Sequence, residues 1–169
     1  VGVWTGVAAA PGRYRVTMAL EDSLTGRLGR AMAEIQVPDY PAGGLALSTP
    51  VVASSIADAS DRMDVTARSS GIFRKTEDFG LYYEVYGLRD GAGKTAAEPF
   101  DTSYRFFREV PEGSQPIGHP FAFPGRTGAS QGWSFPLAKW PTGKYRVEIS
   151  VTQIGGRKAS AAVPFEVVE

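Results

Sequence analysis

The C-terminal stretch 141-PTGKYRVEISVTQIGGRKASAAVPFEVVE-169 decides how this chain is read. Tyr145, Val147, Ile149 and Val151 alternate with Arg146, Glu148, Ser150 and Thr152. Beyond Gln153-Ile154-Gly155-Gly156, Ala161, Val163, Phe165 and Val167 take alternate places again. A period of two puts apolar side chains on one face of an extended strand and polar ones on the other. The paired glycines supply the positive φ that a tight turn demands. The stretch is expected to be a β-hairpin with one buried face.

The same pattern stands near the other end, in 11-PGRYRVTMALEDSLTGRLGRAMAEIQVP-38. Tyr14 aligns with Tyr145, Val16 with Val147, Leu20 with Val151 and, after a one-residue difference in the turn, Val37 with Val167. By this alignment Tyr14, Val16, Met18 and Leu20 point inward, Ile35 and Val37 close the returning strand, and Arg15, Thr17 and Glu21 face out. This is a short internal repeat. An isolated hairpin is at best marginal in water, so the N-terminal copy must pack against the body of the chain, a second copy, or an upstream domain.

Between the hairpins, LALSTPVVAS (45–54), RMDVTARSS (62–70), FGLYYEVYGL (79–88), TSYRFFREV (102–110) and GWSFPLAKW (132–140) read as strands. With the C-terminal pair they make about seven, the count of one immunoglobulin-like sandwich. No window carries a capped helical stripe, and SSIADASDRM is too short and poorly patterned to be a helix. A chain of 169 residues cannot hold two complete sandwiches of about 100 residues each. The expected fold is all-β: an immunoglobulin-like antiparallel β-sandwich over 45–169, a linker at 39–44, and at 1–38 the terminal hairpin of a partial repeat. The opening at Val1, without Met, points to a processed or trimmed chain. PEGSQPIGHPFAFPGRTGASQG (111–132) is expected to be a long loop.

Composition narrows the function. Eighteen Lys and Arg balance eighteen Asp and Glu, which removes the electrostatic footprint of nucleic-acid binding. No apolar run reaches the roughly 20 residues of a membrane-spanning helix. The absence of cysteine excludes disulfides, thiol nucleophiles and thiolate metal sites, and leaves the redox compartment open.

Three segments together, VPDYPAGGLALSTPVVASSI, LYYEVYGL and LAKWPTGKYRVEISVTQIGGRKASAAVPFEVVE, resemble the C-terminal region of bacterial GWxTD-domain proteins. That region is similar to the tail of some von Willebrand-factor-A-related acidobacterial proteins. The resemblance implies tandem immunoglobulin-like repeats and an extracellular or periplasmic location in the bacterial envelope. The namesake signature is missing, because Gly132-Trp133 is followed by Ser-Phe-Pro, so the namesake domain's role does not transfer.

Candidate chemistry is sparse. His119, the sole histidine, has no Gly-x-Ser-x-Gly elbow to serve and is expected to be a solvated loop residue. Asp58, Asp61 and Asp64 lack the alternate spacing and glycine of a calcium loop and read as a polar turn. Gly91-Ala92-Gly93-Lys94 lacks phosphate-loop spacing and reads as a hairpin turn. Glu84 and Glu109 are the strand carboxylates nearest to aromatics, and Glu84 is expected to pair across strands with Arg105 or Arg108. No cofactor, metal or catalytic residue is expected. The expected role is a noncatalytic structural or protein-interaction module that self-associates or binds a protein partner by strand addition. The alternative is a glycan-binding sandwich that stacks sugar rings on Trp133, Phe121, Phe123 and Tyr86, from an aromatic inventory that also includes Trp4, Trp140 and Tyr82.

Overall fold

A computed structural model describes residues 7–40, 44–58, 63–88, 99–125, 130–153 and 155–169, and these form strands and turns with no helix among them. Trp4, Asp61, residues 91–94, Ile154 and part of the 39–44 linker lie outside the described residues. The chain divides into two compact units, Val1–Ala42 and Gly43–Glu169.

The first unit is a hairpin of β1 (Gly12–Glu21) and β2 (Leu28–Val37), antiparallel along their whole length. Asp22 organises its turn: one carboxylate oxygen accepts from the N–H groups of Leu24 at 2.9 Å and Thr25 at 3.2 Å. Those N–H groups hold the Asp22 carboxyl below the ordinary carboxylate range. Gly26, at φ 65°, completes the reversal where a side chain would be strained.

The second unit runs β3 (Ala46–Leu47), β4 (Val51–Asp58), β5 (Met63–Ala67), β6 (Ile72–Arg74), β7 (Asp78–Tyr86), β8 (Phe100–Val110), β9 (Gly113–Pro124), β10 (Ser130–Pro136), β11 (Gly143–Gln153) and β12 (Lys158–Val168). One sheet has the order β10-β7-β4-β5, with β3 also paired to β7; the other has the order β6-β12-β11-β8-β9. All pairs are antiparallel except β6 with β12.

The two sheets share one core. Phe79, Leu81, Tyr83 and Val85 of β7 and Phe135 of β10 meet Tyr104 and Phe106 of β8, Tyr145, Val147, Ile149 and Val151 of β11, and Val163, Phe165 and Val167 of β12. Phe79 stacks on Phe165 with centroids 4.1 Å apart, and Phe106 stands edge-on to Phe135 and Trp140, each at 5.0 Å. Burying each such side chain contributes about 1.5–3 kcal/mol. The hydroxyls of Tyr83 and Tyr104 would be costly in this interior, and they hydrogen-bond to each other at 2.8 Å. The alternation of the C-terminal stretch is therefore the alternation of a strand buried on one face, and Gly155 and Gly156 take φ 87° and 80° in its turn.

Four expectations are corrected. The stretch 111–132 is not one loop: β9 occupies most of it and pairs with β8. Proline is tolerated there because β9 is the edge of its sheet, where a missing donor costs least. His119 is not a loop residue. The register steps from Phe106↔Ile117 to Tyr104↔Phe121, so Gly118, His119 and Pro120 bulge opposite Arg105 alone, with Gly118 at φ 58°. The segment 45–54 splits at Ser48–Pro50 into β3 and the start of β4, and β6 adds a short strand that no alternation announced. Finally, the apolar stripe of β1 is not buried: Tyr14, Val16, Met18 and Leu20 are all exposed, as is Ile35 of β2.

Candidate functional site

The two hairpins agree in atomic detail. Gly12 and Gly143 open β1 and β11 at φ 155° and 149°. Two residues on, the Tyr14 hydroxyl donates to the carbonyl of Ala10 at 2.8 Å, and the Tyr145 hydroxyl donates to that of Pro141 at 2.5 Å, four residues upstream in each case. Facing pairs correspond along both ladders: Gly12↔Val37 with Gly143↔Val167, Tyr14↔Ile35 with Tyr145↔Phe165, Val16↔Ala33 with Val147↔Val163, Met18↔Ala31 with Ile149↔Ala161. Val16 and Met18 face alanines in the first copy; in the second Ile149 faces an alanine and Val147 a valine.

Burial separates them. Tyr145, Val147, Ile149 and Val151 are at most 1 % exposed, whereas Tyr14, Val16, Met18 and Leu20 are 37, 42, 55 and 59 % exposed. A face patterned for a core thus lies open, contiguous along β1, with Ile35 at 45 % beside it. Among the described residues β1 and β2 form a two-stranded sheet, so each also presents an unpaired backbone edge. The opposite face is mixed: Arg15 approaches Glu34 at 3.5 Å, with both side chains well exposed, and Met32 and Leu28 stand exposed on the same side, across from Thr17 and Glu21. A concavity of about 540 Å³ is lined by Arg13, Tyr14, Arg15, Glu34, Ile35 and Gln36. Open apolar area beside open strand edges is the surface that protein partners and added strands use.

The residues expected to stack sugars fall in two places. Phe123 and Trp133 lie on the edge strands β9 and β10 of opposite sheets and stack on each other at 4.1 Å, closing that side of the sandwich. Each ring therefore has one face occupied, and both pack against the core. Phe121 sits on the same edge, edge-on to Phe106 at 6.0 Å, and is 46 % exposed. Ile56, Asp58, Gly132, Trp133 and Ser134, on β4 and β10, line a cavity of about 180 Å³. Tyr86 belongs elsewhere: its hydroxyl donates to Glu84, on the side of β7 away from the core.

Glu84 does lie with Tyr82 and Tyr86, but its partners are not Arg105 or Arg108, which stand on the other sheet. The Tyr82 hydroxyl donates to the Glu84 carboxylate at 2.9 Å, Tyr86 holds its second oxygen, and the Ser48 hydroxyl accepts from the Glu84 N–H at 2.9 Å. Partial burial pushes the Tyr82 phenol up; the Ser130 hydrogen bond opposes that and Glu84 adds to it. Glu109 is held by Arg146 at 3.1 Å and by the Ser114 hydroxyl, which lower its carboxyl, Ser114 most. Neither carboxylate faces the other across a cleft. Among the described residues no three His, Cys, Asp or Glu gather as metal ligands, and no helix is long and apolar enough to cross a membrane. No protein-family model matches the chain, and no curated protein sequence matches it.

Sequence alignment located the repeated hairpin, and the strand count between the copies left the first without a sandwich of its own.

Proposed function

We propose that this chain is a noncatalytic association module of a bacterial envelope or secreted protein, and that the β1–β2 hairpin is its binding element. The observation that carries this reading is one hairpin in two copies, with the same register and the same tyrosine bond, buried in one copy and open in the other. Leaving five large side chains in water forgoes several kcal/mol that a partner would recover.

We read the second unit as immunoglobulin-like. The β4-β7-β10 and β6-β12-β11-β8-β9 sheets, the closing β11–β12 hairpin, and a tyrosine at the start of β11 bonding back to the corner before it support that reading. The first hairpin is then the closing hairpin of a second such repeat, as in the tandem arrays of the GWxTD-domain region. The geometry favours protein association over sugar stacking, because Trp133 and Phe123 spend a ring face on each other.

The test compares the whole chain with Val16→Asp/Met18→Asp by sedimentation and by binding of a hydrophobic fluorescent dye. The wild type is expected to bind dye or self-associate, and the variant to lose either property with the unfolding of the second unit unchanged. A wild type with neither property, or a variant that keeps both, overturns the reading.

A further inference from the structure

The buried hairpin shows what covers such a face. β11 is flanked by β8 in the register Lys144↔Glu109, Arg146↔Phe107, Val147↔Phe106 and Ile149↔Tyr104. Phe106 and Tyr104 enter the core beside Val147 and Ile149. On the other face the Arg146 guanidinium lies over the Phe107 ring at 4.5 Å and bonds Glu109 at 3.1 Å. β8 is thus bound three ways: by backbone pairing, by alternate aromatics against aliphatics, and by the Arg146 cation against an aromatic and a carboxylate.

The correspondence of the hairpins carries each of these groups onto β1. Val147 and Ile149 become Val16 and Met18; Lys144 and Arg146 become Arg13 and Arg15. Both cationic positions are retained, and so is the aliphatic pair. Further along the ladder the character changes: Glu148, Ser150 and Thr152, which face Arg105, Ser103 and Asp101 of β8, become Thr17, Ala19 and Glu21. The Arg15–Glu34 contact does not block the role, since an exposed pair of this kind is worth about 0–1 kcal/mol and is exchanged readily.

Resting on the reading of the hairpin as a binding element, we propose that the open edge of β1 takes an antiparallel protein strand of β8 chemistry. That strand has large aromatics at alternate positions against Val16 and Met18, a further aromatic under Arg15, and a carboxylate three residues beyond the second core aromatic, within reach of Arg13 and Arg15. The occupant is a polypeptide strand of that chemistry. A second copy's hairpin lacks that chemistry, because β1 and β2 hold Tyr14 and no Phe or Trp. Strand addition of this kind draws affinity from the backbone ladder and specificity from the alternating side chains.

The test uses the whole chain and a synthetic peptide with the β8 sequence, FDTSYRFFREV. Titration followed by amide resonances and hydrogen exchange is expected to slow exchange along β1, around Val16 and Met18, at one peptide per chain. Val16→Asp/Met18→Asp is expected to weaken binding at least tenfold. Arg15→Glu is expected to weaken it severalfold, with recovery when the peptide carries Lys in place of its glutamate. Three results would overturn the proposal: no slowing at saturating peptide, slowing confined to β11, or displacement of a pre-existing dimer held through β1. If the peptide fails while dye binding or self-association still depends on Val16 and Met18, the strand chemistry falls and the association reading stands.

Discussion

Tyr14 and Tyr145 make the same bond in different company. Tyr145 is buried between Trp140, at 5.1 Å, and Phe165, at 5.4 Å, and its hydroxyl ties the start of β11 to Pro141. Burial pushes its phenol up, which keeps it a donor at any ordinary pH. Tyr145→Phe strands the Pro141 carbonyl and should lower stability by about 1 kcal/mol. Tyr14→Phe removes the equivalent bond where water can replace it, and should change stability by less than about 0.5 kcal/mol. Denaturant unfolding of the two variants checks the contrast; equal losses would mean the hairpins are equally packed. At this scale the alternation of Tyr145, Val147, Ile149 and Val151 was legible because a half-buried strand repeats every two residues. The exposure of Val16 and Met18 was not, because alternation records which residues are fit for burial and not whether anything buries them.

β9 shows what composition conceals in an element. Pro116, Pro120, Pro124 and Gly118 gave it the look of a loop, yet Ile117, Phe121 and Phe123 keep inward places against β8. The prolines suit its position, since an edge strand with a full set of donors invites pairing with another chain. Replacing two of them, Pro116→Thr/Pro120→Thr, should leave the sandwich folded and raise the average mass in light scattering as edges pair. An unchanged mass would show that the bulge at Gly118, His119 and Pro120 guards the edge without them. Strand β6 was illegible for another reason: three residues are too few for any period, and only the parallel neighbour β12 makes Ile72–Arg74 a strand.

For the molecule as a whole, acid should act on the second unit through its ion pairs. The Glu77 carboxylate accepts from the Arg68 guanidinium at 2.9 Å and from the Arg74 N–H at 2.6 Å, and the same guanidinium lies over Phe73 at 4.5 Å. The Arg68 bond first, then the Arg74 N–H, hold the Glu77 carboxyl below its ordinary range. A carboxyl lowered on folding adds stability above its unfolded pKa, about 4.3, and loses it as the pH falls through the folded value. The wild type should therefore exceed Glu77→Gln in stability at neutral pH, with the gap closing below about pH 4; a gap that persists in acid would assign the effect to packing. The sequence by itself determined the all-β class, the β11–β12 hairpin and its repeat near the N-terminus, because side-chain period and turn glycines are local properties. Only the tertiary structure decided that β9 is a strand, that Glu84 is held by tyrosines, and that one hairpin is core and the other surface. Those outcomes depend on which strands lie alongside, and a strand's neighbours are set by contacts far away in the chain.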